Sequence, residues 1–338
     1  MLPPLITIVG PTAVGKSQLA LALAEEFGGE IVSADSRQVY RYMDIGTAKP
    51  TPAERARLPH HLIDVVDPDQ PYTLALYQQQ AYAAIADVTA RGRLPLLVGG
   101  TGLYVQAVVE GLRLPHVAPD AALRQALADE ARQKGMEWLY AEVQRIDPVT
   151  AERERLNPRR LIRALEVYRA TGVPISQRQH REPPPYRLLQ LGLTIDRPEL
   201  YRRIDARVER MIEQGLVDEV RSLVARGYGY DLPAMSGLGY RQIGEYLRGE
   251  VDLPTAIQRI KYQTHAFVRH QAKWFRLSDP RIRWLPADAT VLAQARRALA
   301  EFLSAIGNRQ SSPQALDSPP PGGCIMPPAG LRSETRPE

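Results

Sequence analysis

The sequence contains very little cysteine, and its apolar residues do not form long runs. Its 338 residues include a single cysteine, Cys324, which excludes a disulfide framework and a cysteine-based zinc site. No segment approaches the roughly 18 consecutive apolar residues of a membrane-spanning helix. The first apolar run is also not preceded by a basic stretch, as it would be in a secretion signal. These absences predict a cytoplasmic protein with no membrane association.

Charge of one sign is only slightly in excess. Lys and Arg number 43 against 38 Asp and Glu, which gives a formal net charge of +5 and an isoelectric point of about 9.3. This basic bias is compatible with a polyanionic partner, but many proteins without such a partner are equally basic.

Short apolar runs alternate with amphipathic stretches over the first hundred residues. This alternation predicts an α/β fold, a parallel sheet flanked by helices. The predicted strands cover residues 5–9, 31–33, 94–98 and 188–195. The predicted helices of this core cover residues 16–27, 77–91, 199–226, 240–247, 255–275 and 291–306.

Two regions depart from this alternation. Between residues 116 and 185 strand signals are absent and helical periods replace them, which predicts an all-helical domain inserted into a core of residues 1–115 and 186–306. From 307 to 338 Pro, Ser and Gly dominate and apolar periodicity is lost. We therefore expect a disordered tail there.

The segment from Gly10 to Ser17 matches the phosphate-binding loop pattern GxxxxGK[ST]. It lies between a predicted strand and a predicted helix, as this motif requires. Backbone amides and the helix N-terminus can hold phosphate oxygens, Lys16 adds positive charge, and the Ser17 hydroxyl can ligate Mg²⁺. We expect a di- or triphosphate ligand, bound by Gly10, Pro11, Thr12, Ala13, Val14, Gly15, Lys16 and Ser17.

The sequence lacks a carboxylate that ATP-using P-loop proteins normally carry. Such proteins place an Asp at the end of an apolar strand to organise Mg²⁺. Here the strand predicted over 94–98 runs directly into Gly99-Gly100-Thr101. Asp64 and Asp67 lie in another apolar segment that could substitute. A P-loop kinase of a nucleoside or other small molecule therefore stays an alternative.

Two further loops follow predicted strands and so should reach the edge of the sheet where α/β proteins build their sites. Asp35 follows the second strand and should face the phosphate loop, although Asp35 or Ser36 can also cap a following helix. The glycines around Thr101 allow a close backbone approach to a ligand, although Thr101 can equally cap a strand-to-helix turn.

More segments occur in the order found in one enzyme family. The sequence resembles the tRNA dimethylallyltransferases, the isopentenyltransferase family that prenylates the adenosine beside the anticodon, from residue 5 to about 285. The matching segments are GPTAVGKS, SADSRQVY, MDIGTAKP, HHLIDVVDP, GGTGLYV, NPRRLIRALEVY, LVDEVRSL, GLGYRQI and QAKWFR.

The resemblance implies that the phosphate loop holds dimethylallyl diphosphate, with Mg²⁺ at Ser17, and that ATP hydrolysis is not required. It implies attack of N6 of adenosine 37 on the allylic C1, with diphosphate leaving. Asp35 would accept the N6 proton, Thr101 would bond the bridging oxygen, and Arg207 would meet the leaving-group charge. Arg203 and Arg210 share the predicted helix face of Arg207, although an ordinary solvated face has the same spacing.

The resemblance also implies a tRNA partner, contacted at its anticodon stem-loop by a monomer. In the predicted helix ending at Phe275, basic residues recur at helical spacing between aromatics, a pattern that suits RNA phosphates but also solvated charges over core aromatics. A non-catalytic RNA-binding protein is the third hypothesis. The tRNA-binding candidates are Asp35, Ser36, Arg37, Gln38, Thr101, Leu123, Arg159, Arg160, Leu161, Ile162, Arg163, Ser236, Gly237, Leu238, Gly239, Tyr240, Arg241, Arg269, Lys273 and Arg276.

Overall fold

A computed structural model describes residues 2–113, 115, 117–178, 180–182 and 186–308. Residues 309–338, nearly all of the predicted tail, lie outside the described residues. Within the described residues, no helix is both long and apolar enough to cross a membrane.

One sheet forms the centre of the molecule, and all of its strand pairings are parallel. Its central strands are buried apolar runs because helices cover both faces. The predicted α/β class is therefore confirmed. In chain order the strands of the described residues are β1 (Pro4–Val9), β2 (Gly29–Ser33), β3 (His60–His61), β4 (Leu94–Val98), β5 (Arg187–Thr194) and β6 (Ile282–Pro286), arranged β3-β2-β4-β1-β5-β6.

The helices bury apolar residues on both sides of this sheet, in two separate core clusters. In the described residues they are α1 (Lys16–Phe27), α2 (Pro52–Arg57), α3 (Leu74–Ala90), α4 (Gly102–Val109), α5 (Ala121–Lys134), α6 (Met136–Ile146), α7 (Pro148–Glu154), α8 (Pro158–Thr171), α9 (Ile175–Arg178), α10 (Arg197–Glu213), α11 (Leu216–Ala225), α12 (Tyr240–Leu247), α13 (Leu253–Trp274) and α14 (Val291–Asn308), with a 3-10 turn at Ala234–Ser236.

Helices α5 to α9 occupy the region in which the sequence predicted only helices. They bury a core of their own around Leu127, Leu139, Val143 and Leu161. The division into an inserted domain and a two-part core stays a prediction. The structure shows where the helices lie, but it does not define a boundary between two domains.

The single long helix predicted over 199–226 was wrong. The chain forms α10 and α11 instead, separated at Gly215, which has a left-handed φ of 99° and immediately precedes α11. A glycine adopts this conformation without steric cost, so the helix can end there and restart in a new direction. The sequence analysis also missed β3 and β6, which are short strands at the two edges of the sheet.

Candidate active site

The phosphate loop connects the carboxyl end of β1 to the N-terminus of α1. At Gly10, φ is 140° and an added Cβ would lie 2.7 Å from the Leu193 carbonyl oxygen of neighbouring β5, so only glycine fits. Lys16 Nζ donates to the Pro11 carbonyl at 2.7 Å and so folds over the loop. The loop thereby directs backbone amides, a helix N-terminus and an ammonium group at one small volume, which suits phosphate oxygens.

Lys16 lies in an electrostatic environment that disfavours its charged form. Burial, together with repulsion from Arg207, lowers its pKa to about 7, although attraction to Asp35 opposes the shift. A bound polyanion would reverse this balance by stabilising the ammonium group. Lys16 and Arg207 together therefore favour a ligand with more than one negative charge, such as a diphosphate.

Arg207 comes from α10 and reaches the same loop. Its Nη1 donates to the Thr12 hydroxyl at 3.4 Å. Burial and the neighbouring Arg210 lower its pKa, while Asp35 raises it. A guanidinium nevertheless stays protonated in proteins, so Arg207 holds a fixed positive charge beside the phosphate loop.

Asp35 and Thr101 meet because they follow two neighbouring strands. Ser33 pairs with Val98 across β2 and β4, and Thr101 N–H donates to the Ala34 carbonyl at 3.2 Å. Asp35 Oδ1 accepts from Arg37 N–H at 2.8 Å in a turn, so it does not cap a helix. Thr101 precedes α4, but its hydroxyl accepts from Ser36 N–H at 3.0 Å and makes no cap bond. The structure thus contradicts a helix cap at Asp35, because residues 36–39 form a turn and not a helix. Thr101 does lie in a strand-to-helix turn at the position before α4, but its side chain makes no cap bond.

A cleft of about 830 Å³ opens above these groups. Its lining is strongly cationic, with Lys16, Arg37, Lys49, Arg202, Arg203, Arg207 and Arg210 against the carboxylates Asp35 and Glu54. The predicted site residues that line it are Thr12, Ala13, Gly15, Lys16, Ser17, Asp35, Ser36, Arg37, Gln38, Thr101, Arg207, Ser236, Gly237, Leu238, Gly239 and Tyr240.

Comparison with known proteins shows which family this chain belongs to. The family model described as IPP transferase matches residues 38–278, and the model described as isopentenyl transferase matches residues 3–64. The chain belongs to the IPP transferase family.

Individual relatives agree with this assignment. The chain is 60% identical over 297 residues to the tRNA dimethylallyltransferase of Roseiflexus castenholzii, covering 88% of this chain and 97% of the relative. With the Chloroflexus aurantiacus enzyme of the same name, identity is 56% over 283 residues, covering 83% and 96% of the two chains.

Solved structures of the IPP transferase family have the same fold. The full-length tRNA isopentenylpyrophosphate transferase of Bacillus halodurans superposes with a TM-score of 0.68 at 38% identity, covering 91% of this chain and 99% of that one. A eukaryotic dimethylallyltransferase acting on tRNA gives a TM-score of 0.73 at 27% identity, covering 93% and 81%.

The alternative acid for an ATP site in this IPP transferase is occupied. Asp64 accepts hydrogen bonds from Lys49 at 2.6 Å and Arg55 at 2.7 Å. Burial favours a higher pKa for Asp64, but these two cations lower it overall. Both of its oxygens are bonded to protein cations, and Asp64 is not among the residues that line the cleft, so the structure does not favour it as the acid of an ATP site.

Two of the predicted tRNA contacts hold protein loops together. Arg37 donates to the Pro233 carbonyl at 2.9 Å and to the Ser236 hydroxyl at 3.4 Å, so it joins two segments of the cleft wall. Gln38 donates to the Ala48 carbonyl at 3.2 Å. Both residues line the cleft, but their side chains already have protein partners.

Glu219 anchors this wall, and the sequence analysis did not single it out. Its carboxylate accepts from the backbone N–H groups of residues 44–46 at 2.7 to 3.1 Å and from the Tyr240 hydroxyl at 2.6 Å. Tyr240 is buried, so its phenol ring supports the cleft from below. The matched segment LVDEVRSL contained the signal, an acid among apolar residues at helical spacing.

The predicted tRNA contacts of the helical region divide into exposed and buried side chains. Arg159 and Arg160 are exposed at the start of α8. Leu161 and Ile162 lie in the local core, where Leu123 packs against them, so their side chains position the helix and are not available to RNA. Arg163 donates to the Val117 carbonyl at 2.9 Å and pairs with Glu166.

Helix α13 carries the other predicted basic surface. Arg269, Lys273 and Arg276, at its end and just beyond, are exposed. Of the two aromatics at heptad spacing, Trp274 packs on the core while Phe267 is 41% exposed and lines the cleft. Core packing is therefore confirmed for Trp274 and not for Phe267, while RNA contact by this helix stays a prediction. Arg241 is likewise exposed, and it contacts Gln263 of α13.

Three residues of the phosphate motif lie outside the cleft lining. Gly10 packs against β5, Pro11 lines a neighbouring cavity of about 240 Å³, and the Val14 side chain is buried in the core. Val14 was predicted to bind diphosphate, but its buried side chain leaves only its backbone for that role.

A Mg²⁺ site would be formed mostly by the ligand. Among the described residues, no group of three or more His, Cys, Asp or Glu could hold a metal ion. Ser17 is exposed at the start of α1 and lines the cleft beside Lys16. One hydroxyl fits a Mg²⁺ ion that takes its other ligands from diphosphate oxygens and water, which is the usual coordination of this ion.

Proposed function

We propose that this chain transfers the dimethylallyl group from dimethylallyl diphosphate to N6 of adenosine 37 in tRNA and releases diphosphate. One observation carries the proposal: a carboxylate, Asp35, and a hydroxyl, Thr101, line the same cleft as Lys16 of the phosphate loop and Arg207 of α10. This arrangement supports a reaction in which Asp35 accepts a proton and the cations stabilise a diphosphate leaving group.

In the proposed reaction, the N6 lone pair forms a bond to C1 while the C1–O bond breaks. The electron pair of that bond leaves with the diphosphate, whose charge is met by loop amides, Lys16 and Arg207. Asp35 takes the proton from N6. Thr101 bonds the bridging oxygen and so aligns the bond that breaks. Mg²⁺ held at Ser17 would neutralise further diphosphate charge.

The cationic cleft also suits the RNA substrate. Phosphates of an anticodon stem-loop can contact the arginines on its rim, and a loop adenosine leaves its stack at lower cost than a paired one. We also propose that the protein is cytoplasmic and acts as a monomer; the residues whose side chains the proposed reaction uses all line the cleft of a single chain. Sedimentation with bound tRNA would measure that stoichiometry.

The decisive experiment incubates the protein with labelled dimethylallyl diphosphate, Mg²⁺ and unmodified tRNA. We expect label in a single adenosine, located by nuclease digestion and mass spectrometry, and negligible turnover of ATP. A tRNA with guanosine at position 37 is the matched control. ATP turnover at about 1 to 100 per second without prenyl transfer would favour a kinase instead.

A further inference from the structure

Gln271, on α13, connects the two loops that flank the proposed reaction centre. Its Oε1 accepts from Thr12 N–H at 2.9 Å, and its Nε2 donates to the Gly100 carbonyl at 2.9 Å. The residue is 4% exposed. Because an amide presents its acceptor and donor in one rigid plane, a single side chain determines the distance between the phosphate loop and the turn that carries Thr101.

The absence of a side chain at Gly100 makes room for the Gln271 amide. A Cβ added at Gly100 would lie 2.4 Å from Gln271 Nε2, closer than side-chain atoms approach a Cβ. Gly100 has no positive φ, so its backbone conformation does not require glycine. The close approach of the Gln271 amide therefore gives a specific reason for glycine at this position.

Helix α13, which carries Gln271, also contacts α10 and the cleft. Helix α13 is joined to α10, which carries Arg207, by bonds from His265 to Asp205 at 2.9 Å and from Lys261 to Glu209 at 2.6 Å. It also presents Phe267 to the cleft. A displacement of α13 would therefore move the phosphate loop, the turn before Thr101 and Arg207 together.

We propose that Gln271 is a positioning residue that holds Thr101 in register with the bound diphosphate. The proposal rests on the proposed prenyl transfer. Gln271 lines the cleft, but both ends of its amide are bonded to protein, so it acts through Thr12 and Gly100. Since Thr12 N–H is bonded to Gln271, the diphosphate is left to the other amides of the loop and to the cations Lys16 and Arg207.

The first variant is Gln271→Ala. Removing both bonds frees the two loops to move apart, and a misplacement of about 1 Å can cost about 100-fold in rate. We expect kcat to fall by about that factor, while calorimetry shows nearly unchanged affinity for inorganic pyrophosphate. Gln258→Ala, an exposed glutamine on the same helix, is the matched control and should match wild type.

A second variant keeps the shape of the side chain. In Gln271→Glu, an ionised carboxylate still accepts from Thr12 N–H but repels the Gly100 carbonyl, whereas the protonated acid can donate to it. The ratio of variant to wild-type kcat should therefore rise as the pH falls. A residue that only fills space would give a ratio independent of pH, and that result would overturn the proposal.

Gly100→Ala tests the contact from the other side. Its methyl group should displace the Gln271 amide and lower kcat in the wild-type background, but cost little once Gln271→Ala has emptied that space. Equal losses in both backgrounds, or unchanged kcat in Gln271→Ala, would contradict the positioning role. Absence of transfer by the wild-type protein would instead refute the proposed function. The thermal unfolding temperature of each variant distinguishes a protein that has lost its fold from one in which Thr101 is displaced relative to the diphosphate.

Discussion

The cleft above the phosphate loop and the helical region of α5 to α9 present positive charge in different ways. In the cleft, burial and Arg207 lower the pKa of Lys16, burial and Arg210 lower the pKa of Arg207, and Asp35 is the acid that opposes both shifts. In the helical region, Arg160 pairs with Glu154 at 2.6 Å and Arg163 with Glu166, so part of the charge is already neutralised by protein. Lys49 and Arg203 of the cleft lining are also paired with carboxylates, so the unmet positive charge is concentrated at Lys16 and Arg207. The charge of the helical region is partly balanced by the carboxylates paired with its arginines.

This difference in charge predicts that the cleft and the helical region bind their ligands in different ways. A site with unmet, partly buried charge gains most when a small polyanion enters it, so single residues there should dominate. An exposed surface with paired arginines gains a modest amount from each phosphate that it contacts. Changes in the cleft should therefore have large effects on chemistry, and changes in the helical region small effects on tRNA affinity.

The largest effect is expected at Asp35. Asp35→Ala should lower single-turnover prenyl transfer by about 10²- to 10⁴-fold, because the proton acceptor is lost, while tRNA affinity stays within a few fold. Asp35→Asn keeps an oxygen for Arg37 N–H, and so preserves the turn without the base. Full activity of the Asn variant together with an inactive Ala variant would assign Asp35 to the turn alone.

The sequence predicted the elements that carry the cleft because their signals are local. The glycines of the phosphate motif, the apolar runs of β1 and β4 and the polar residues that follow each strand can be recognised without knowing the fold. By contrast, β3 and β6 pair only at the sheet edges, and the break at Gly215 depends on the packing of α10 and α11. These features are set by contacts between distant segments.

The same distinction explains which site residues were missed. Gln271 and Glu219 have roles that depend on partners 171 and 173 to 175 positions away in the chain. Lys49 is a similar case, buried with its ammonium bonded to the Tyr40 carbonyl and two carboxylates. A polar residue among apolar ones indicates that its side chain is bonded inside the protein. Its partner can be identified only from the folded structure.

An intermediate effect is expected from the titration of Lys16. Its pKa of about 7 in the free protein means that the amine loses its proton as the pH rises above 7. Diphosphate favours the protonated form, so the bound state holds more protons than the free state and affinity must fall with rising pH. The decrease should approach about tenfold per pH unit above pH 7.

Calorimetry of pyrophosphate binding near pH 8, in two buffers of different ionisation heat, measures this proton uptake directly. Lys16→Met is the matched variant and corrects for the titration of pyrophosphate itself. We expect weaker binding by the variant and less proton uptake. Equal uptake by both proteins would mean that Lys16 stays charged in the free cleft and that the contrast with the helical region is smaller than we infer.

The smallest effect is expected at the start of α8, and it separates free from paired arginines. Arg159 is exposed and has no hydrogen bond or ion pair among the described residues, whereas Arg160 is bonded to Glu154, which is 7% exposed. If both contact phosphates, each alanine variant should weaken tRNA binding a few fold and lower the slope of log affinity against log salt by roughly 0.7 to 0.9. Only Arg160→Ala should also lower the unfolding temperature, because it removes a partner from a buried carboxylate.

Arg145→Ala, an exposed arginine of α6, should change neither slope nor affinity. An unchanged slope for Arg159→Ala would remove this end of α8 from the RNA-binding surface and leave tRNA affinity to the cleft and α13.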